Sequence, residues 1–277
     1  MKKMETIPVS VLLSVYKKEK PEYFTETLES TLAQTVQPDE ILLVEDGPLT
    51  EELYERIQHY RDTLGDQLTV ISLKENQGLG TALAIGVENC RNQLIARMDT
   101  DDIMVENRLE IQYAAFLEND DLAIVGSNII EFEGTVDNVL AKKTMPLTNV
   151  EIRQFSKKRN PFNHMTVMYK KDAVLAVGNY QPLQGFEDYY LWVRLLKAGY
   201  QGCNLPDFLV YARTGAEMYN RRGGLNYLMP GLKARKIIYQ EGLGGFTDFF
   251  SVSLVHTAIC IMPTKLRGKF YKRMLRK

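Results

Sequence analysis

Residues 9–15 read Val-Ser-Val-Leu-Leu-Ser-Val, a nearly unbroken apolar run of strand length. Such a run suits a central parallel strand buried on both faces, where alternation with polar residues is not required. Pro21 stands where a first helical turn tolerates proline, and Phe24, Leu28, Thr31 and Leu32 mark one face of the helix that follows. Residues 40–48 are a second strand running into an acidic turn, Glu45-Asp46-Gly47-Pro48. A helix over about 50–64 and a strand over 68–73 come next. Asn76-Gln77-Gly78-Leu79-Gly80 turns into a helix carrying Ala82, Leu83, Ile85, Gly86 and Val87, and 93–98 is a fourth strand. Strand and helix alternate four times, which predicts an α/β fold with a doubly wound, mostly parallel sheet.

Beyond this alternation the pattern predicts a helix over 106–118, extended segments over 122–132 and 139–145, a short helix over 150–157 and a strand over 165–169. Gly185-Phe186-Glu187-Asp188 opens a helix through Lys197 that Gly199 ends, Gly being the favoured residue just past a helix. A short strand over 209–212 leads into a polar, glycine-containing loop over 214–224, and helical patterns fill the remainder. No internal repeat or linker interrupts the chain, so the expectation is one domain with a C-terminal helical extension.

The 277 residues are 45% hydrophobic and 25% charged, ordinary for a globular protein with a sizeable core. A formal net charge of −1 gives no reason to expect nucleic acid. Cys90, Cys203 and Cys260 are far apart and lack metal-ligand spacing, which fits a reducing cytosol and no disulfide framework. Lys2 and Lys3 ahead of the first apolar run imitate a signal peptide. Pro8 and the following Lys17-Lys18-Glu19-Lys20, where a small-residue cleavage site would stand, favour a buried strand instead.

The fourth strand ends in Arg97-Met98-Asp99-Thr100-Asp101-Asp102, three carboxylates within four positions. Like charges this close repel and raise one another's pKa unless a cation neutralises them. At the carboxyl end of a buried strand, where open α/β sheets bind ligands, the cluster reads as a divalent-metal site. The competing reading is a solvated acidic turn that caps the next helix. Gly78-Leu-Gly80 followed by Asp99 imitates a dinucleotide fingerprint, but it lies in the third βα unit and lacks its third glycine. Asp99-x-Asp101 also resembles the haloacid-type phosphatases, whose nucleophile follows the first strand. A nucleotidyltransferase would want a glycine-rich basic loop where this chain has Ser14-Val15-Tyr16-Lys17-Lys18. A nucleotide pocket with a metal needs acids at the ends of neighbouring strands, and Asp46 with Asp99 and Asp101 supplies them. Glu187-Asp188 offers a separate carboxylate able to deprotonate a hydroxyl, although acids at a helix N-terminus also serve simply as caps.

Taken together, these motifs resemble the family 2 glycosyltransferases of GT-A fold over about residues 7–215. They run from the strand ending at Tyr16 through Val44-Glu45-Asp46-Gly47, Asn76-x-Gly78 and Asp99-Thr-Asp101-Asp102 to Glu187-Asp188 with Trp192 and Arg194. The resemblance implies a catalytic domain over 1–215, with a donor half over about 1–103 and an acceptor half over about 104–215, and an extension over 216–277. It assigns Tyr16 and Asp46 to the base and ribose of a nucleotide-diphosphate sugar, with Ser14, Glu45, Asn76, Gly78 and Arg97 on the donor side. Asp99 and Asp101 become the diphosphate and metal motif, with Mn²⁺ or Mg²⁺ as cofactor. Asp188 becomes the catalytic base, with Glu187 beside it. His164, after Asn163, resembles a family feature and is read either as a donor or acceptor contact or as structural.

Three positions depart from the family pattern: Ser14 replaces a frequent proline, Glu45 the first acid of a frequent Asp-Asp-Gly, and Ala84 a common asparagine. The Gln-x-x-Arg-Trp motif and membrane spans of the processive synthases are absent, which implies transfer of one sugar, and the family resemblance implies inversion. Rival readings are another nucleotide-sugar enzyme, a hydrolase or nucleotidyltransferase, and a binding-only homologue.

Arg213, Arg221 and Arg222 lie on or beside the glycine-containing loop and could fold over a diphosphate, or simply be solvated. Residues 246–263 are apolar but short for a membrane span. Residues 265–277 carry seven cations and no acid, interleaved with Leu266, Phe270, Tyr271, Met274 and Leu275. The pattern suits an interfacial helix on an anionic membrane surface, a lipid-linked glycan acceptor in surface polysaccharide synthesis, and a cytoplasmic protein peripheral to the inner face of the plasma membrane. A solvated basic helix is the plainer reading.

Overall fold

The first apolar run becomes β1 (Thr6–Val15), the strand on which the sheet is built. Successive side chains of a strand point to opposite faces, and here both faces are covered. Val9, Val11, Leu13 and Val15 enter one core cluster while Leu12 enters the other. β2 (Gln37–Glu45) divides the same way, Ile41 and Leu43 against Leu42 and Val44. That is why both strands read as continuous apolar runs. The computed structural model describes residues 5–214 and 225–262.

Helices α1 (Pro21–Leu32), α2 (Glu51–Leu64) and α4 (Arg108–Glu118) lie against the first cluster through Phe24, Ile57 and Phe116. On the opposite face, α3 (Leu79–Asn89), α5 (Asn149–Phe155), α6 (Lys171–Ala176) and α7 (Glu187–Lys197) bury Leu83, Ile152, Val174 and Leu191. Pro21 does occupy the first turn of α1, and Thr50 caps α2 by accepting from the Leu53 N–H. Thr148 and Glu151 form a reciprocal capping box at α5.

The remaining strands are β3 (Leu68–Ser72), β4 (Leu94–Arg97), β5 (Ile103–Met104), β6 (Leu122–Glu133), β7 (Thr135–Lys143), β8 (Met168–Lys170) and β9 (Gln201–Arg213). The order is β3-β2-β1-β4-β8-β6-β9-β5, with β7 paired to the outer part of β6. The expected parallel, doubly wound arrangement holds from β3 to β4. Past β4 the sheet is mixed, because β8 runs antiparallel to both β4 and β6 while β6 and β9 are parallel.

Two elements differ from the periodicity. The expected strand over 165–169 begins as a 3-10 turn, His164–Thr166, in which the Thr166 hydroxyl donates to the Asn163 carbonyl at 2.9 Å. The strand expected over 209–212 is thirteen residues long, its first part hidden from pattern reading by Pro206 and Asp207. Helices α8 (Leu225–Gln240) and α9 (Phe246–Ile261) form the extension and pack against α7 through Ile238, which joins Tyr189 and Val193.

Trp192, fully buried at the centre of α7, meets the rings of Phe162, His164, Tyr169 and Tyr180 edge-on or tilted at 5.8–6.2 Å. Trp192→Ala is therefore expected to cost about 3–5 kcal/mol. The loss would appear as a lower urea midpoint with an unchanged slope.

Candidate active site

Parallel strands β1, β2 and β4 end side by side, Val15 opposite Glu45 and Leu12 opposite Arg97. Their carboxyl ends open onto a cleft of about 810 Å³ whose lining includes Ser14, Tyr16, Glu19, Asp46, Asp99 and Asp101. Tyr16 stands exposed at its mouth.

Asp46 is buried, and both of its carboxylate oxygens are engaged. The side-chain amide of Asn76 donates to one at 2.8 Å, and the backbone N–H groups of Gln77 and Gly78 reach the pair at 2.7 and 3.0 Å. The Asp46 and Asn76–Gly78 motifs, thirty residues apart, thus form one wall of the cleft. Gly47 closes this wall at φ +86°, and a Cβ there would lie 2.5 Å from the Asn76 nitrogen. Glu45 goes elsewhere. Strand alternation turns it away from Asp46, and it accepts from the Ser72 hydroxyl at 2.5 Å. Placed by the resemblance on the donor side, Glu45 sits next to Asp46 in the chain but is bonded to Ser72 and is not among the cleft-lining groups.

Arg97 is the buried cation of the site. Its Nη2 pairs with Asp99, while Nε and Nη1 have no hydrogen-bond partner among the described residues. Burial alone would lower its pKa, but Asp99 more than compensates. The same guanidinium is felt by Asp188, Tyr180 and His164. Carboxylate oxygens of Asp99, Asp101 and Asp102 lie within 4.8 Å of one another. They are hard donors of the kind divalent Mg²⁺ and Mn²⁺ take. Burial, then Asp99 and Glu19, push the Asp101 carboxyl up to about 7. Burial and the two neighbouring acids drive Asp102 well above the usual carboxylate range. A bound cation would relieve both, so the residues fit one.

The first turn of α7 carries Glu187 and Asp188. Asn160 donates to Asp188 at 2.5 Å. Burial, then Glu187, raises the Asp188 carboxyl to about 6, against opposing contributions from the Tyr189 N–H, Asn160 and Arg97. Glu187 is itself buried against the start of α3, where a Cβ on Gly80 would meet the Glu187 Cβ at 3.3 Å. The glycine turn at α3 and the acids of α7 are therefore neighbours. His164 Nε2 lies 2.9 Å from the Tyr180 hydroxyl, and burial with Arg97 holds its pKa well below the usual range. The imidazole is thus neutral and engaged.

Sequence reading missed Glu19, Asn160 and the contacts of Arg213, and placed Asp102 in the acidic cluster without a role of its own. Glu19 lies among lysines like a solvated turn, yet it accepts from the Thr100 hydroxyl at 2.6 Å. Arg213 is packed on the body of the protein. Its backbone N–H donates to Asp102 at 2.6 Å, its Nε to the Asp101 carbonyl at 2.9 Å, and its guanidinium pairs with Glu26 and stacks on Tyr23. Arg221, Arg222 and the basic segment 265–277 lie outside the described residues.

The model of glycosyl transferase family 2 matches residues 10–177, more than half of the chain. The chain belongs to that family. An uncharacterised glycosyltransferase of Haemophilus influenzae is 41% identical to this transferase over 97% of the chain and 99% of its own length. The amylovoran biosynthesis glycosyltransferase AmsE of Erwinia amylovora is 38% identical over 95% and 98%. An Escherichia coli UDP-Gal:alpha-D-GlcNAc-diphosphoundecaprenol beta-1,3-galactosyltransferase is 35% identical over 99% and 98%. Among solved structures, S. aureus TarS 1–349 in complex with UDP superposes with a TM-score of 0.66 at 19% identity, covering 97% of this chain and 75% of that one. The transferase therefore shares the GT-A fold.

Two expectations follow for the glycosyltransferase. Because the folded pKa of Asp101 is about 7 and its unfolded value about 3.9, the folded state binds more protons between them, and stability falls as pH rises through that window. Asp101→Asn should accordingly raise the Tm of the chelator-treated protein at pH 8, and the gain should disappear near pH 4. Gly47→Ala combines a left-handed backbone with a clash, and should cost about 2 kcal/mol or more in a denaturation measurement.

Proposed function

We propose that this glycosyltransferase moves one sugar, with inversion, from a nucleotide-diphosphate sugar of the UDP class to a hydroxyl of a lipid-linked glycan. The process served is cell-surface polysaccharide synthesis at the inner face of the plasma membrane. The observation that carries the chemistry is that two sets of acids share one buried cation: Asp99, which pairs with Arg97 and lies beside Asp101, and Asp188, whose carboxyl feels the same charge. The names of the Escherichia coli and Erwinia relatives support the donor, the acceptor and the process.

In this reading, residues 1–103 hold the donor and 104–215 the acceptor. Ser14, Tyr16 and the Asp46–Asn76–Gly78 wall receive the nucleoside, and Arg97 and Asp99 face the diphosphate. Asp188 accepts the proton of the acceptor hydroxyl as its oxygen bonds to the anomeric carbon and the bond from that carbon to the diphosphate oxygen breaks. A carboxyl with a pKa near 6 is ionised at neutral pH, yet is a better base than an exposed aspartate. Asn160 aims it, and Glu187 raises its basicity. Asp99 and Asp101 would hold Mn²⁺ or Mg²⁺, which would neutralise the charge gathering on the departing diphosphate. His164, neutral and bonded to Tyr180, supports the aromatic cluster around Trp192.

A screen of nucleotide-sugars for cation-dependent thermal stabilisation would identify the donor by mass action. Asp188→Asn should lower transfer by roughly 10²-fold or more while leaving the donor-induced Tm shift in place. Asp101→Ala should lose the cation-dependent shift. Normal turnover by either variant would remove the role proposed for it.

A further inference from the structure

Among the described residues, helix α9 is packed on one side. Toward the body of the protein, Phe249 stacks on Tyr239 of α8 at 5.0 Å, and His256 and Cys260 are buried. On the outer side Phe246, Phe250, Leu254 and Ile261 are 64, 59, 61 and 71% exposed. At 3.6 residues per turn these four positions fall within an arc of about 80°, one continuous stripe along the helix. Asp248 is the only acidic or basic residue of α9 apart from His256. It is occupied by the Gly245 N–H and by Lys158. The outward face therefore carries two phenylalanines, a leucine and an isoleucine with no charge among them. Surface helices ordinarily present charge there, and apolar patches of this kind mark contact surfaces.

We propose that this stripe docks α9 on an anionic lipid bilayer, lying in the interface rather than crossing it. Sixteen helical residues span about 24 Å, short of the hydrocarbon thickness, and no helix among the described residues is long and apolar enough to cross a membrane. The charge that selects the occupant follows directly in the sequence, where residues 265–277 carry seven cations and no acid. Apolar insertion beside a polybasic segment is the combination that holds peripheral proteins on anionic headgroups. A second copy would add the same seven cations of 265–277, while the outward face of α9 holds no acid to pair with them.

The placement has a consequence for the acceptor, and here the inference rests on the lipid-linked acceptor proposed above. Through Ile238 and Leu243 the extension packs on Tyr189, Tyr190 and Val193 of α7, and the Tyr190 hydroxyl donates to Glu241 at 2.8 Å. Asp188 is in the first turn of that helix. A bilayer under α9 would thus be linked through α8 and the 241–243 turn to the helix that carries the proposed base.

Flotation of the full chain with phosphatidylcholine vesicles, with and without phosphatidylglycerol, tests the surface. The protein is expected to float with the anionic vesicles. Phe250→Glu/Leu254→Glu should weaken that binding at least about tenfold, while transfer to a water-soluble acceptor analogue and the donor-induced Tm shift stay unchanged. Those two readouts belong to the enzymatic reading alone, so its failure would be distinguishable from failure of the docking surface. Phe250→Trp provides a second probe, whose added indole emission should be quenched by brominated acyl chains. Three results would overturn the proposal: wild-type protein that stays with the aqueous phase, undiminished flotation of the double variant, or an unquenched indole. So would a dimer that the double variant converts to monomer without any vesicle binding.

Discussion

One buried guanidinium organises this site. Arg97 is 1% exposed and pairs with Asp99, while its field reaches Asp188 on a helix ninety residues further along the chain. Taking like-charged carboxylates out of water is costly unless a cation accompanies them. Without Arg97, Asp99 would lose its ion pair and Asp188 the positive charge it feels, leaving the buried Arg108 to interact with Asp102. Its own burial is supported from behind by Arg108, whose Nη2 donates to the Arg97 carbonyl at 2.7 Å. Burial, with Arg97 adding to it, pushes the Arg108 pKa down to about 9. The two arginines thus repel, and the acids in front of them are what makes the pair tolerable.

The sheet topology puts that cation where a ligand can use it. From β1 the chain builds outward through β2 and β3, then returns to lay β4 on the opposite side of β1. Crevices form at such reversals because the connections leave the two central strands in opposite directions. Tyr16, Asp46 and Asp99 all sit at the carboxyl edge of this one reversal. The antiparallel β8 is laid on β4 immediately beyond it and brings the His164 turn and its tyrosine alongside Arg97. The change from parallel to mixed pairing is therefore part of the site, since it delivers a second set of residues to the same strand end.

How much of this was legible follows from the range of each interaction. β1, β2 and β4 are readable because burial on both faces writes an uninterrupted apolar run, and Thr50 and Pro21 mark their helices through local chemistry alone. The two-residue β5 has no period to read, and β9 is interrupted by Pro206, where its register against β6 shifts. In the site, Asp99, Asp101 and Asp188 stand in recognisable motifs. Glu19, Asn160 and Arg213 do not, because each acquires its role from a partner 28 to 112 residues away. Glu45 is hard to place for the reverse reason. The motif names two adjacent acids, and strand alternation allows only one of them to face the cleft.

Helix α7 shows how tightly the proposed base is bound to the rest of the fold. Its first turn carries Asp188, its inner face puts Trp192 into the core, and its outer face receives α8 through Val193. A carboxylate on a loop could relax away from the acids and the low-dielectric surroundings that raise its pKa. On a helix fixed along two sides it cannot, so the strain of holding that charge is borne by the packing of Trp192 and Ile238 rather than by local geometry. Sites positioned by rigid elements hold their reactive groups more closely than sites on loops. The same rigidity means that whatever contacts the outer face of the extension is mechanically close to the reacting centre. A surface bound at α9 acts on the orientation of the enzyme without needing to change the shape of the site.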